Sequence, residues 1–305
     1  MIWRNNMKRI KLFLIISCLI CGICLSGCGK KEKEEPAVTG KTAELMFITI
    51  GKGDAFLLKT PEDTYYMCDT GKKEDYQQIK KVLEKKQVTE LKGIFLSNGH
   101  KDHAGNVKNL IKDYPIEKIY LSKRDDASYE KVDMQELADS YQVPLEYLEG
   151  GEVLDLEGVT VNVWIPERCD YRNANNNSIV LRFQYGKNSF LMTGDMEYGE
   201  EAAYLQSGEV QKTDILKLGH HGENDATSVA FLEKVRPTYG LITGNEEENS
   251  DSVNPEIEAR LDAFDVESFY SEGDQLAWNF ILNGEQIQIE PVSYTHLTLP
   301  TNREV

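Results

Sequence analysis

Three short apolar stretches of this chain each run straight into residues that ligate metals, and this constrains the fold more than any other feature. Gly93–Ser97 leads into Asn98-Gly99-His100-Lys101-Asp102-His103. Phe190–Thr193 leads into Gly194-Asp195, and Ile215–Leu218 into Gly219-His220-His221-Gly222. Of the chain's five histidines, four lie in these segments. A strand end fixes the first side chains beyond it, and imidazole nitrogen together with carboxylate oxygen suits zinc or a similar divalent ion. Any fold that finishes these three strands on one rim collects the donors there.

The rest of the chain reads as strands followed by alternating strand–helix units. Leu45–Ile50 and Ala55–Leu58 flank the turn Gly51-Lys52-Gly53-Asp54, and Thr64–Cys68 runs into Asp69-Thr70-Gly71. Ile79, Val82 and Leu83 recur at helical spacing within 76–86, and Val107, Leu110 and Ile111 mark a second helix. Ile116–Leu121 is strand-like. The alternation in 153–166 predicts a hairpin around Glu157-Gly158, and Ser178–Phe183 and Ser189–Thr193 are expected to pair across Tyr185-Gly186-Lys187-Asn188. A helix over 229–235, a strand over 239–243 and a helix opened by Asn254-Pro255 complete the series. Two such halves imply an α/β chain with two sheets face to face and helices outside.

Both ends read differently. Lys8, Arg9 and Lys11 precede the apolar run Leu12–Leu25 and the sequence Leu25-Ser26-Gly27-Cys28. This order resembles a bacterial lipoprotein signal, with Met1 or Met7 as its start. It implies cleavage before Cys28, lipidation of the Cys28 thiol, and a chain held by lipid at the outer face of the cytoplasmic membrane. Residues 1–27 are then the signal, 28–41 a charged tether, and 42–291 the folded domain. Residues 292–305 resemble the in-frame translation of a sequencing adapter and are expected to add nothing to the fold. Cys68 and Cys169 are the two thiols left in the domain, either as a disulfide or as separate thiols.

The chain carries 34 Lys+Arg against 51 Asp+Glu, a formal net charge of −17. That field repels phosphate backbones and argues against a protein that coats nucleic acid through a basic patch. It leaves open phosphodiester chemistry at a metal, because a bound cation inverts the local charge.

Taken in order, Phe47–Ala55, Asp69-Thr70-Gly71, His100–His103, Asn177-Ser178 with the strand that follows, Thr193-Gly194-Asp195 and Gly219–Gly222 resemble the metallo-β-lactamase superfamily. Within it they are similar to the hydrolase domain of ComEC-type competence proteins, over roughly 44–290. The resemblance implies a four-layer αβ/βα sandwich with the metal centre between the sheets. It places one ion on Asp102, His103 and the His220-His221 pair, with Asp195 bridging towards a second site that includes Asn98 and His100. Asp69 supports the ligands from behind. Either member of the histidine pair can be the ligand, with His220 favoured and His221 then nearer substrate.

Two departures stand out. Asn98 replaces the family's first motif histidine and Asn254 a later one, so the second site is weakened and one divalent ion, zinc with manganese as the alternative, is expected. Asp102, His221 and Asn254 are the implied catalytic groups, and Lys217 is a candidate donor to substrate. The implied reaction is hydrolysis of a phosphodiester, from DNA or a wall-associated polymer, by an acidified water. The alternative is a binding or scaffold lipoprotein that keeps the fold and one metal.

Overall fold

The computed structural model describes residues 40–124, 133–245 and 254–293. The signal region, Cys28 and nearly all of the proposed tether lie outside these residues. Strands β1 (Ala43–Ile48), β2 (Ala55–Lys59), β3 (Tyr65–Thr70), β4 (Gly93–Phe95), β5 (Ile119–Ser122) and β6 (Leu145–Leu148) belong to one sheet. Strands β7 (Val153–Leu156), β8 (Val159–Trp164), β9 (Val180–Tyr185), β10 (Asn188–Met192), β11 (Ile215–Lys217), β12 (Tyr239–Ile242) and β13 (Glu267–Tyr270) form the other. The chain then returns to the first sheet with β14 (Ala277–Leu282) and β15 (Ile287–Val292). The sheet orders are β15-β14-β1-β2-β3-β4-β5-β6 and β13-β12-β11-β10-β9-β8-β7.

The two-residue period of a strand builds the layers. Leu45 and Phe47 of β1 face the other sheet, whereas Met46 and Ile48 face the helices outside. In β10, Phe190 and Met192 enter the space between the sheets and Leu191 the opposite face. The middle layer is rich in phenylalanine, with Phe47 and Phe56 stacked at 5.4 Å and Phe183 and Phe190 at 5.6 Å. Helices α1 (Tyr76–Lys85), α2 (Lys101–Ala104), α3 (Val107–Asp113) and α4 (Met134–Tyr141) accompany the first sheet. Ile79, Val82 and Leu83 of α1 pack on its outer face, as do Val107 and Leu110 of α3. Helices α5 (Tyr198–Ser207), α6 (Val229–Val235) and α7 (Pro255–Ala263) cover the second sheet through Tyr204, Phe231, Leu232 and Ile257. The fold is the four-layer αβ/βα sandwich.

Strands β3 to β6 run parallel, as do β10 to β13. Their carboxyl ends open on a common rim, where α/β sheets place their ligands. The β1–β2 turn reaches the same rim, with Gly53 N donating to Thr243 O at 3.1 Å and Asp54 N to Asp102 O at 3.1 Å.

One expectation changes here, and one open alternative is decided. Val292 pairs with Ala277 at the end of β15, is buried, and accepts a hydrogen bond from Leu276 N at 2.7 Å. The domain therefore runs past Pro291. Cys68 and Cys169 do not pair with each other: Cys68 is buried between the sheets, and Cys169, in the loop before Asn177, donates its Sγ to Arg124 O at 3.7 Å.

Candidate metal centre

His103 is the innermost histidine. It lies on α2, one turn beyond β4, and is fully buried. Its Nδ1 sits 2.7 Å from Asp69 Oδ2 and 3.0 Å from Ser97 Oγ, while Asp69 also accepts from Ser97 N and Ser97 Oγ. A carboxylate on one ring nitrogen fixes the tautomer and points the other nitrogen outwards. That other atom, Nε2, is 2.9 Å from Asp195 Oδ2. Asp69 can hold this position because its backbone turns left-handed, with φ +55°, as β3 ends.

Asp195 follows Gly194, whose φ is +54°. A Cβ at Gly194 would lie 2.8 Å from Ser97 Cβ and 2.9 Å from Ser178 Oγ. This close approach explains the glycine and brings Asp195 against the His103 loop. Ser178 Oγ accepts from Asp195 N at 3.0 Å and anchors its backbone.

The adjacent histidines separate completely. Both are left-handed, with φ +42° and +56°, so their side chains diverge. His221 turns inwards and is buried, with Nδ1 2.9 Å from Thr243 Oγ1 and Nε2 3.3 Å from both Asp102 Oδ2 and Asp195 Oδ1. His220 turns the other way, with Nδ1 3.0 Å from Asp225 and 3.6 Å from Glu197 and Glu223, and Nε2 3.3 Å from Asn175 Nδ2. His221 thus faces the Asp102 and Asp195 carboxylates from a buried position. His220 instead lies with Glu197 and Asp225 in a separate group of potential ligand atoms.

His103 Nε2, His221 Nε2, Asp102 and Asp195 therefore converge. His103 Nε2 and Asp195 Oδ1, like both carboxylate oxygens of Asp54, are buried without hydrogen-bonded partners, as ligand atoms of an ion would be. Two imidazoles and two carboxylates fit a divalent ion of the zinc type. Asp54, His103 and His221 form another compact group of potential ligand atoms. There Asp54 already faces the Lys217 ammonium at 2.8 Å, and it lies on the Nδ1 side of both rings, so it stands behind the ligands.

The electrostatics follow from these contacts. Burial works to raise the Asp102 and Asp195 carboxyls, but the His221 and His103 rings hold both below the ordinary range. For Asp54, burial is overcome by Lys217, His103 and His221, leaving it at about 2. Burial would lower His103 and His221, and the surrounding carboxylates raise both instead. Asp69 is raised, chiefly by burial and against the pull of His103. His220 is raised to about 9, because Asp225, Asp195 and Glu223 outweigh the burial that would lower it.

The remaining predicted residues are nearby but engaged otherwise. His100, on the rim, brings Nδ1 to 3.4 Å from Asp195 Oδ2. Asn98 donates its Nδ2 to Asp195 Oδ2 at 3.2 Å, while its Oδ1 accepts from His100 N at 2.9 Å. Because the backbone N–H fixes that oxygen, the amide offers Asp195 a donor rather than offering a metal a ligand. Asn254 caps α7, accepting from Glu256 N at 2.9 Å. Lys217 is fully buried and cannot reach substrate, contrary to the sequence expectation. Asp54, Ser97 and Thr243 carried no role in the sequence reading. The signal for Asp54 was its place between a two-glycine turn and an apolar strand.

The superfamily to which this site belongs is established by sequence. The metallo-β-lactamase superfamily profile matches residues 48–243, and the chain belongs to that superfamily. Within it the chain is similar to ComE operon protein 3 of Bacillus subtilis, with 26% identity over 66% of this chain and 28% of the relative. Recombination protein 2 of Haemophilus influenzae is 29% identical over 50% of this chain and 18% of its own length. The chain thus spans under a third of either relative. Among solved structures, the metallo-β-lactamase fold protein YhfI of Bacillus subtilis shares the fold at 12% identity, with a TM-score of 0.54 over 79% of this chain and all of that one.

Proposed function

We propose that the chain is a metal-dependent hydrolase of phosphodiester bonds, tethered through lipid on Cys28 to the outer face of the bacterial cytoplasmic membrane. The observation that carries the reading is the convergence of His103 Nε2, His221 Nε2, Asp102 and Asp195 at the carboxyl ends of parallel strands from both sheets. These four residues would hold one divalent ion, zinc or manganese. When bound, the ion supplies Lewis acidity and a water of lowered pKa.

The chain's own residues do the rest. Asp69 and Ser97 hold the His103 ring, and Thr243 holds the His221 ring, so each presents Nε2 to the centre. Asp195 faces both imidazoles and couples the two sheets. His100 is partly buried at the rim beside Asp195, where an imidazole can donate a hydrogen bond to a substrate oxygen. A phosphodiester is favoured by the similarity to relatives named as a recombination protein and a competence protein. The acidic chain would depend on its ion to draw that anion in.

A second reading, a binding lipoprotein with reduced catalysis, is favoured by one observation. Asn98 donates a hydrogen bond to Asp195 where a second ion would need a ligand. Hydrolysis of bis(p-nitrophenyl) phosphate by the zinc- or manganese-loaded chain separates the two. Turnover that Asp195→Ala abolishes supports the hydrolase, whereas turnover unchanged by Asp195→Ala overturns it. Absence of turnover with metal still bound selects the binding reading.

A further inference from the structure

Lys217 is among the largest fully buried side chains of the described residues, in a place where burying a lone ammonium is costly. Its Nζ donates to Gly194 O at 2.6 Å and lies 2.8 Å from Asp54 Oδ2, which is itself fully buried. These contacts join three segments that carry the centre. Gly194 precedes Asp195, Lys217 ends the strand leading to His221, and Asp54 N holds the backbone of Asp102. Asp54 also faces the ligand rings from behind, with Oδ1 3.4 Å from His221 Nδ1 and Oδ2 3.8 Å from His103 Nδ1.

We propose that Lys217 and Asp54 form an internal ion pair that positions His103 and His221 for the metal and thereby sets the affinity of the centre. The inference rests on the metal site proposed above. Lys217 acts here as a positioning residue, since it touches neither the converging ligand atoms nor the surface. The ammonium has two effects. It draws Asp54 to one location between the two rings, and it ties Asp54 to the carbonyl next to Asp195. Three loops from two sheets then keep one spacing. Without the ammonium, nothing ties Asp54 to the Gly194 carbonyl, and the three loops lose their common anchor. Outer groups of this kind typically govern metal affinity by about 10–100-fold.

The test uses the full chain, with zinc as the probe. Zinc affinity is read by competition with a chromophoric chelator, ligand geometry by the visible absorption of the cobalt(II)-substituted protein, and folding by the melting temperature in excess EDTA. Lys217→Met is expected to lose about 10–100-fold in zinc affinity and to change the cobalt spectrum. Lys217→Met would also leave Asp54 buried and unpaired, so the double variant Lys217→Met/Asp54→Asn is measured beside it. The double variant is expected to recover the melting temperature in EDTA but not the affinity or the spectrum. Recovery of all three would make the pair merely structural and overturn the inference. Wild-type affinity in Lys217→Met, or failure of the double variant to fold in EDTA, would overturn it too. Failure of the unsubstituted chain to bind zinc, manganese or cobalt would instead overturn the proposed function on which the inference stands.

Discussion

Single residues decide this centre, and backbone conformation matters as much as side-chain type. His220 and His221 are chemically identical, yet consecutive left-handed turns send one to Asp225 and the other to Asp195. No periodicity encodes that choice, which is why the pair was legible in the sequence but its ligand was not. Gly194 is decisive in the same way. Gly194→Ala would push a methyl group into Ser97 and Ser178, and is expected to cost about 1–3 kcal/mol with a loss of metal affinity, read by melting and by zinc competition. Glu200 offers a test in another direction. Burial pushes its carboxyl well above the ordinary range, and the nearby Asp195 and Glu197 carboxylates add to the rise. Below the unfolded carboxylate pKa both states hold the proton and ionisation makes no difference. As pH rises above that value the unfolded chain ionises first, and stability falls. Glu200→Gln is therefore expected to raise the melting temperature at pH 7 by a few degrees, at about 2–4 °C per kcal/mol, and to leave it nearly unchanged at pH 4. An equal shift at both pH values would contradict this.

Elements show a different balance between what sequence reveals and what it hides. The helix opened by Asn254-Pro255 was legible because its cap chemistry is local: Asn254 accepts from Glu256 N and Pro255 occupies the first turn. Asn254→Ala should lower stability by about 1 kcal/mol, and Asn254→Ser should restore most of it, in thermal melts of the metal-loaded chain. If Asn254 acts chiefly as a cap, Asn254→Ser should also keep phosphodiester turnover near that of the unsubstituted chain. The β7–β8 and β9–β10 hairpins were equally legible, since alternation and turn residues sit side by side in sequence. The β1–β2 turn was legible as a turn, but the role of Asp54 within it was not, because its partners are distant. Asp54 matters through Lys217 and His221, which are remote in the chain and meet only when the two sheets face each other.

At the scale of the whole molecule, the two sheets meet through a phenylalanine-rich layer and finish on one rim, so stability and site geometry share a framework. The last strand belongs to that framework. A chain ended at Pro291 loses the buried Val292 side chain and its bond to Leu276, whereas one ended at Ser293 keeps both. Burial of a valine contributes about 2 kcal/mol, so the shorter chain should melt about 4–8 °C lower. Equal melting temperatures would show that the strand end contributes nothing. The central claim is that His103, His221, Asp102 and Asp195 hold one divalent ion, while Asn98 leaves the neighbouring position weak. Elemental analysis of the purified chain after exhaustive dialysis tests it most directly. One equivalent of zinc or manganese is expected, falling to near zero in Asp195→Ala and rising towards two in Asn98→His. Two equivalents in the unsubstituted chain, or none, would contradict the account.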